Sequence, residues 1–164
     1  MDLWLIRHAV AEDAAPAGLD ARRAVTQEGR DRFARGVRGL ARIGVRFELV
    51  LHSPLLRAQE TADLLEPVTE GEMAVCAALA RAPDDELLAG IQGSVVALVG
   101  HEPWLSQTLA WLVFGWRVYE QDATTAIVEL KKGAAAHLVG EPSPGGMRLA
   151  ALYPPAALRA FGRR

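Results

Sequence analysis

A chain of 164 residues that is 51% hydrophobic has the length of one domain, a size that buries about two-thirds of the surface its unfolded form exposes. Its 18 basic and 20 acidic residues leave a formal net charge of -2, which removes the global electrostatic reason to expect nucleic acid or an anionic membrane surface as partner. A lone cysteine, Cys76, excludes an intramolecular disulfide and a cysteine-built metal site.

In chain order, Leu3 to Ile6 is a continuous apolar run, the pattern of a strand buried on both faces. Ala14 to Ala21 is a loop of small residues containing Pro16 and Gly18. Thr26 then caps a helix that runs to about Ile43, closed by Gly44, with Phe33, Val37, Leu40 and Ile43 at helical spacing. Phe47 to Leu51 is a second buried strand, and Ser53 and Pro54 read as N-cap and first residue of the next helix, which stops before Pro67. Met73 to Ala77 is a weak strand, followed by a short helix from Asp84 to Ile91. Ser94 to Val99 is a central strand, and a helix from about Pro103 to Phe114 follows it. Ala126 to Leu130 and Met147 to Leu152 are the last predicted strands. This alternation predicts a three-layer α/β/α sandwich with a mostly parallel central sheet, forming one domain over residues 1–164.

In such a sheet, ligands bind at the carboxyl ends of the strands, beside helix N-termini. Three segments leave strands toward that edge: "LIRHA" with Arg7 and His8, "LHSPLLRAQETA" with Arg57, and "LVGHEP" with His101. Arg23, or its neighbour Arg22, joins from the loop before the first helix. Two or three guanidinium groups and two imidazoles converging on one place suit a phosphoryl group, because a guanidinium forks onto phosphate oxygens.

These segments, in this order, resemble the histidine phosphatase superfamily with its phosphoglycerate-mutase-like fold, and within it the small SixA-type phosphohistidine phosphatases. The resemblance rests on "LIRHA", "RAVT", "SPLLRAQETA" and "VGHEP". It implies that His8 is a nucleophile carrying the phosphoryl group as a covalent phosphohistidine, and that Arg7, Arg57 and His101 bind the phosphoryl oxygens with Arg23 as a further phosphate-pocket arginine. It further implies a metal-independent hydrolase without cofactor. Ala9 replaces the glycine that many superfamily members have after the nucleophile, which is compatible with the SixA-type branch. No acid-bearing loop of the mutase branch is present, so Glu102, Glu12 and Asp84 are the candidate general acids. Phosphohistidine needs an acid less than an alkyl phosphate does, because imidazole is the better leaving group.

Three functions stay open on these residues. The first is dephosphorylation of phosphohistidine on a signalling protein, suited by a chain without room for large cap insertions. The second is hydrolysis of a small phosphomonoester, and the third is a non-catalytic module that binds phosphate or phosphoprotein. Taken singly, each residue also has a plainer reading. Arg57 could pair with Glu60, Ser53 could be only a cap, and Thr61 could serve helix packing. His52 and His137 read as structural or solvent-facing, Cys76 as a core thiol, and Trp104, Trp111, Phe114 and Trp116 as core aromatics. Four histidines without paired carboxylates make zinc improbable. The N-terminus lacks signal-peptide features, and no apolar run reaches the ~20 residues of a bilayer span. A cytoplasmic monomer is therefore expected, with no nucleic-acid or membrane partner.

Overall fold

The computed structural model describes residues 1–14, 19–115 and 128–163. Six strands form one sheet: β1 (Asp2–Arg7), β2 (Phe47–His52), β3 (Thr69–Val75), β4 (Val95–Gly100), β5 (Ala135–Gly140) and β6 (Met147–Tyr153), in the order β3-β2-β4-β1-β5-β6. The first four are mutually parallel, and β5 and β6 add an antiparallel edge. Helices α1 (Gln27–Arg42), α2 (Leu56–Asp63) and α5 (Pro155–Phe161) cover one face, and α3 (Asp85–Gly90) and α4 (Trp104–Phe114) the other. The three-layer architecture is the expected one.

Burial on both faces explains the unbroken apolar runs. In β1, Trp4 and Ile6 pack with Phe33, Val37 and Leu40 of α1, while Leu3 and Leu5 pack with Leu105, Leu109 and Leu112 of α4. Because β1, β2 and β4 point the same way, their carboxyl ends fall in register: Arg7 lies opposite Gly100 and His52 opposite Val99. The main chain continues that register past the strands, since His8 N donates to Gly100 O at 3.0 Å and Ser53 N to Val99 O at 3.0 Å.

Several boundaries differ from expectation. The second helix starts at Leu56 rather than Pro54, because Ser53 Oγ accepts from Leu55 N at 3.3 Å in a local turn and so does not cap it. The edge strand β3 begins four residues early, at Thr69, since parallel pairing with β2 holds the polar "TEGE" extended whatever its hydropathy. Of the strand expected over Ala126 to Leu130, residues 126 and 127 lie outside the described residues. The remainder is irregular, its polar groups directed to side chains of the α4 turn. Strand β5 and helix α5 were not foreseen: β5 opens on an alanine run that carries no strand periodicity, and α5 is a short alanine-rich stretch opened by Pro154 and Pro155.

Helix α5 lies close on α1, and glycine permits the approach. A Cβ at Gly39 would stand 2.1 Å from Leu158 O, whereas one at Gly36 would meet Leu158 Cβ at an ordinary 3.6 Å. Gly39→Ala should therefore destabilise the fold by about 1–3 kcal/mol through overpacking. Gly36→Ala, in the same helix, should stabilise it by up to about 1 kcal/mol through helix propensity. Urea unfolding of both variants checks the pair; an equal effect at the two positions would refute the close-packing account.

Candidate phosphoryl-binding site

The chain leaves β1 at Arg7, and the next residue, His8, is buried. Its Nδ1 is 2.7 Å from Ala9 O. A carbonyl oxygen only accepts, so Nδ1 carries the proton and Nε2 keeps its lone pair. The loop behind the imidazole is fixed from two sides. Ala9 N donates to Thr61 Oγ1 at 3.0 Å, and the same hydroxyl donates to Arg57 O at 2.5 Å, joining the loop to α2. Val10 O accepts from Thr26 N at 3.0 Å, joining it to the capped end of α1, where Thr26 Oγ1 accepts from Gly29 N.

Three arginines and a second imidazole surround this loop, coming from β1 itself, α2, the end of β4 and the turn before α1. Arg57 stands in the first turn of α2 and is 5% exposed, as is His101 just past β4. The His8 and His101 rings are 5.2 Å apart between centroids. Arg57 Nη1 donates to Asp20 O at 3.0 Å and Nη2 to Asp20 Oδ2 at 3.1 Å. Arg23 Nε lies 2.8 Å from Asp20 Oδ1, and Arg23 Nη1 donates to Glu12 O at 3.2 Å. Arg7 Nη1 donates to Leu130 O at 2.5 Å and lies 3.7 Å from Glu129 Oε1. Against these contacts, Arg7 Nε, Arg23 Nε, Arg57 Nε and both ring nitrogens of His101 are buried with no hydrogen-bond partner among the described residues, Arg23 Nε making only the ion pair with Asp20. Buried donors normally find acceptors, so this set is suited to an anion with several oxygens.

Electrostatics keep both imidazoles neutral. Burial lowers His8 to about 4, the Ala9 hydrogen bond opposes the shift, and Arg57, Arg7 and Lys132 reinforce it. Burial, followed by Arg57 and His8, lowers His101 to about 3. At neutral pH His8 Nε2 thus has a free electron pair facing positive charge, an arrangement for attack on an electrophile that bears negative oxygens.

Arg7, His8, Arg57 and His101 converge as the sequence motifs placed them, and Arg23 rather than the exposed Arg22 joins Arg57 through Asp20. Glu60 is not the partner of Arg57: it accepts from Val25 N at 2.6 Å and pairs with Arg30. The three acid candidates differ. Glu102 Oε2 accepts from Ser106 N and Oγ, and its Oε1 accepts from Leu130 N at 2.9 Å. Asp84 caps α3 by accepting from Leu87 N and pairs with Arg81. The Glu12 side chain is exposed. His137 is structural, stacked on Trp4 and 2.5 Å from Asp2 Oδ1, while His52 is buried with Nδ1 on Ser53 O. Cys76 is half-buried at the edge of the core. Trp104 is half-buried, Trp111 buried and Phe114 exposed, and Trp116 lies outside the described residues.

Sequence reading missed Asp20, Thr61 as a site residue, Leu130 and Lys132. For Asp20 a signal existed, a carboxylate three residues before Arg23; for Leu130, which acts through its main chain, there was none. Among the described residues no group of three or more His, Cys, Asp or Glu side chains could hold a metal ion, and no helix is long and apolar enough to cross a membrane.

Known proteins match the chain at two levels. A solved structure of the protein histidine phosphatase SixA complexed with tungstate superposes with a TM-score of 0.77, covering 96% of this chain and 99% of that one at 23% identity. The alpha-ribazole phosphatase from Shigella flexneri gives 0.66, covering 94% and 97% at 19% identity. A phosphoserine phosphatase from Entamoeba histolytica in complex with 3-phosphoglyceric acid gives 0.65, covering 93% and 96% at 14% identity. These structures show that the chain has the fold they share, a mixed α/β domain with a six-stranded central sheet flanked by helices. By sequence it belongs to one family with an uncharacterized protein of Picosynechococcus sp., to which it is 33% identical over 144 residues, 82% of this chain and 87% of that protein. No family model matches it.

The lowered imidazoles make stability depend on pH. Unfolded, both histidines take up protons near their ordinary value of 6.5; folded, they do so only near 4 and 3. Their contribution is complete above pH 6.5 and is lost as pH falls through that value toward 4, because the unfolded chain then binds more protons. The Tm of the wild type should fall more steeply between pH 6.5 and 4.5 than that of a His8→Asn, His101→Asn double variant. Parallel slopes would show that the two rings are not held neutral by burial.

Proposed function

We propose that the protein is a metal-independent phosphatase that works through a phosphohistidine on His8, and that its substrate is phosphohistidine on another protein. The observation that carries this reading is the His8 imidazole, committed through Nδ1 to Ala9 O and leaving Nε2 unprotonated among unpartnered donors of Arg7, Arg57 and His101. In the first step the Nε2 lone pair attacks phosphorus, the bond from phosphorus to the leaving group breaks, and that group takes a proton from solvent or an acid. In the second step water attacks phospho-His8, the P–N bond breaks, and inorganic phosphate leaves with neutral His8 restored. Arg7, Arg57 and His101 would hold the phosphoryl oxygens in both steps, with Arg23 beside them, stabilising charge spread over those oxygens at the transition state.

The choice of substrate rests on the leaving group. Both Glu102 oxygens and both Asp84 oxygens are engaged in structural contacts, which leaves only the exposed Glu12 of the three carboxylates considered. A site so poor in acids suits a P–N bond to imidazole better than a P–O bond to an alkoxide. The similar structures are named for a protein histidine phosphatase, an alpha-ribazole phosphatase and a phosphoserine phosphatase, so this fold alone does not select among phosphoryl substrates. A cytoplasmic, single-domain monomer acting on a phosphoprotein accords with the balanced charge and lone cysteine.

Turnover of a phosphohistidine protein by purified protein should be abolished by His8→Ala and unaffected by added chelator. Quenching without acid should trap 32P on His8 of the wild type. A kcat/KM that is higher for small phosphate esters than for the phosphohistidine protein would replace the proposed substrate. Tight phosphate binding with no covalent adduct would replace the enzyme by a binding module.

A further inference from the structure

Arg57 on α2 and Arg23 in the loop before α1 are held by one residue, Asp20. Asp20 opens the short 3-10 turn Asp20–Arg22 and presents all its oxygens to the two arginines. Its main-chain oxygen accepts from Arg57 Nη1 at 3.0 Å and from Arg23 N at 3.2 Å. Its Oδ2 accepts from Arg57 Nη2 at 3.1 Å, and its Oδ1 is 2.8 Å from Arg23 Nε. The grip on Arg57 uses the two terminal nitrogens and leaves Nε, buried and unpartnered, for a ligand. A guanidinium has five donors in a rigid plane, so holding one edge fixes where the other points.

The charges follow the same division. With His8 and His101 neutral, the cations gathered around the site are Arg7, Arg23, Arg57 and Lys132, and Asp20 is the carboxylate bound between two of them. Burial by itself would raise Asp20, but Arg57 and Arg23 hold it below its ordinary value, so it stays ionised throughout the neutral range.

We infer that Asp20 is a positioning residue that clamps Arg57 by its two terminal nitrogens, pairs with Arg23 and offsets part of the pocket's positive charge, so that phosphate is bound in a fixed orientation without being trapped. The inference rests on the phosphoryl-binding reading of this pocket. A carboxylate beside the phosphoryl oxygens weakens the binding of inorganic phosphate, the product, while keeping the arginines aligned for the reaction. Its side chain is 66% exposed, so solvent screens this repulsion and its effect on affinity is moderate.

The test compares wild type, Asp20→Asn and Asp20→Glu for inorganic phosphate binding by calorimetry and for turnover of a phosphohistidine protein. Asp20→Asn keeps the main-chain grip but removes the charge and one acceptor. It should bind phosphate about fivefold more tightly as the repulsion is lifted, and its kcat should fall about tenfold as alignment and product release suffer. Asp20→Glu, which retains the charge, should keep a phosphate Kd within about twofold of wild type. Unchanged or weaker phosphate binding in Asp20→Asn, at a Tm near that of wild type, would overturn the inference. Weaker binding with a lowered Tm would overturn it in favour of a purely structural role. Tighter binding in a protein that shows no turnover would uphold the role of Asp20 while removing the phosphatase reading. Turnover through phospho-His8 without the tightening would do the reverse.

Discussion

Like charges repel most strongly where water is scarce, and this protein gathers Arg7, Arg23, Arg57 and Lys132 around two imidazoles at one edge of its sheet. Everything else at that edge answers this constraint. The imidazoles stay neutral, so they add no charge. Two arginines are held through terminal nitrogens that leave Nε unpartnered, Arg57 by Asp20 and Arg7 by Leu130 O, and Arg23 is paired with Asp20. Repulsion confines the cations to a few positions, and these contacts choose among them. What is left over, a set of buried donors without acceptors, is the binding capacity of the site.

The sheet makes that gathering possible by register alone. Arg7 opposite Gly100 and His52 opposite Val99 set three strand ends level, so residues far apart in the chain leave the sheet together. The helices then act as struts. The N-terminus of α1 reaches the loop after His8 through Thr26, and α2 reaches it through Thr61. His8 and Arg57 thus share covalent and hydrogen-bonded neighbours. One hydroxyl, on Thr61, touches the residue after His8 and the carbonyl of Arg57.

Much of this was legible in the sequence where a side chain or an apolar run does the work. Leu3 to Ile6, Phe47 to Leu51 and Ser94 to Val99 announced buried parallel strands because both faces are covered. The four residues at the centre of the site followed from their positions just beyond those strands. Strand β5 was not legible, since its alanine run has neither period, and neither was α5. Asp20 stood three residues before Arg23, a local signal, but its contact with Arg57 spans 37 positions, which no local pattern encodes. Ser53 misled for a related reason: a serine before proline reads as a cap, but its hydroxyl closed a local turn instead.

Leu130 shows where such reading and ordinary mutagenesis share a blind spot. Its N–H is bound by Glu102, its carbonyl receives Arg7, and its side chain is fully buried. The two main-chain bonds link the turn before α4 to the Arg7 guanidinium, yet every amino acid except proline offers the same N–H and carbonyl. An alanine scan would therefore register residue 130 as core packing and pass over its part in orienting Arg7. An ester in place of the Glu129–Leu130 amide removes the donor, and one in place of the Leu130–Lys131 amide weakens the carbonyl; neither touches the side chain, and the pair would expose that role. Some of the architecture around these cations is written in the backbone and is silent to any exchange of side chains.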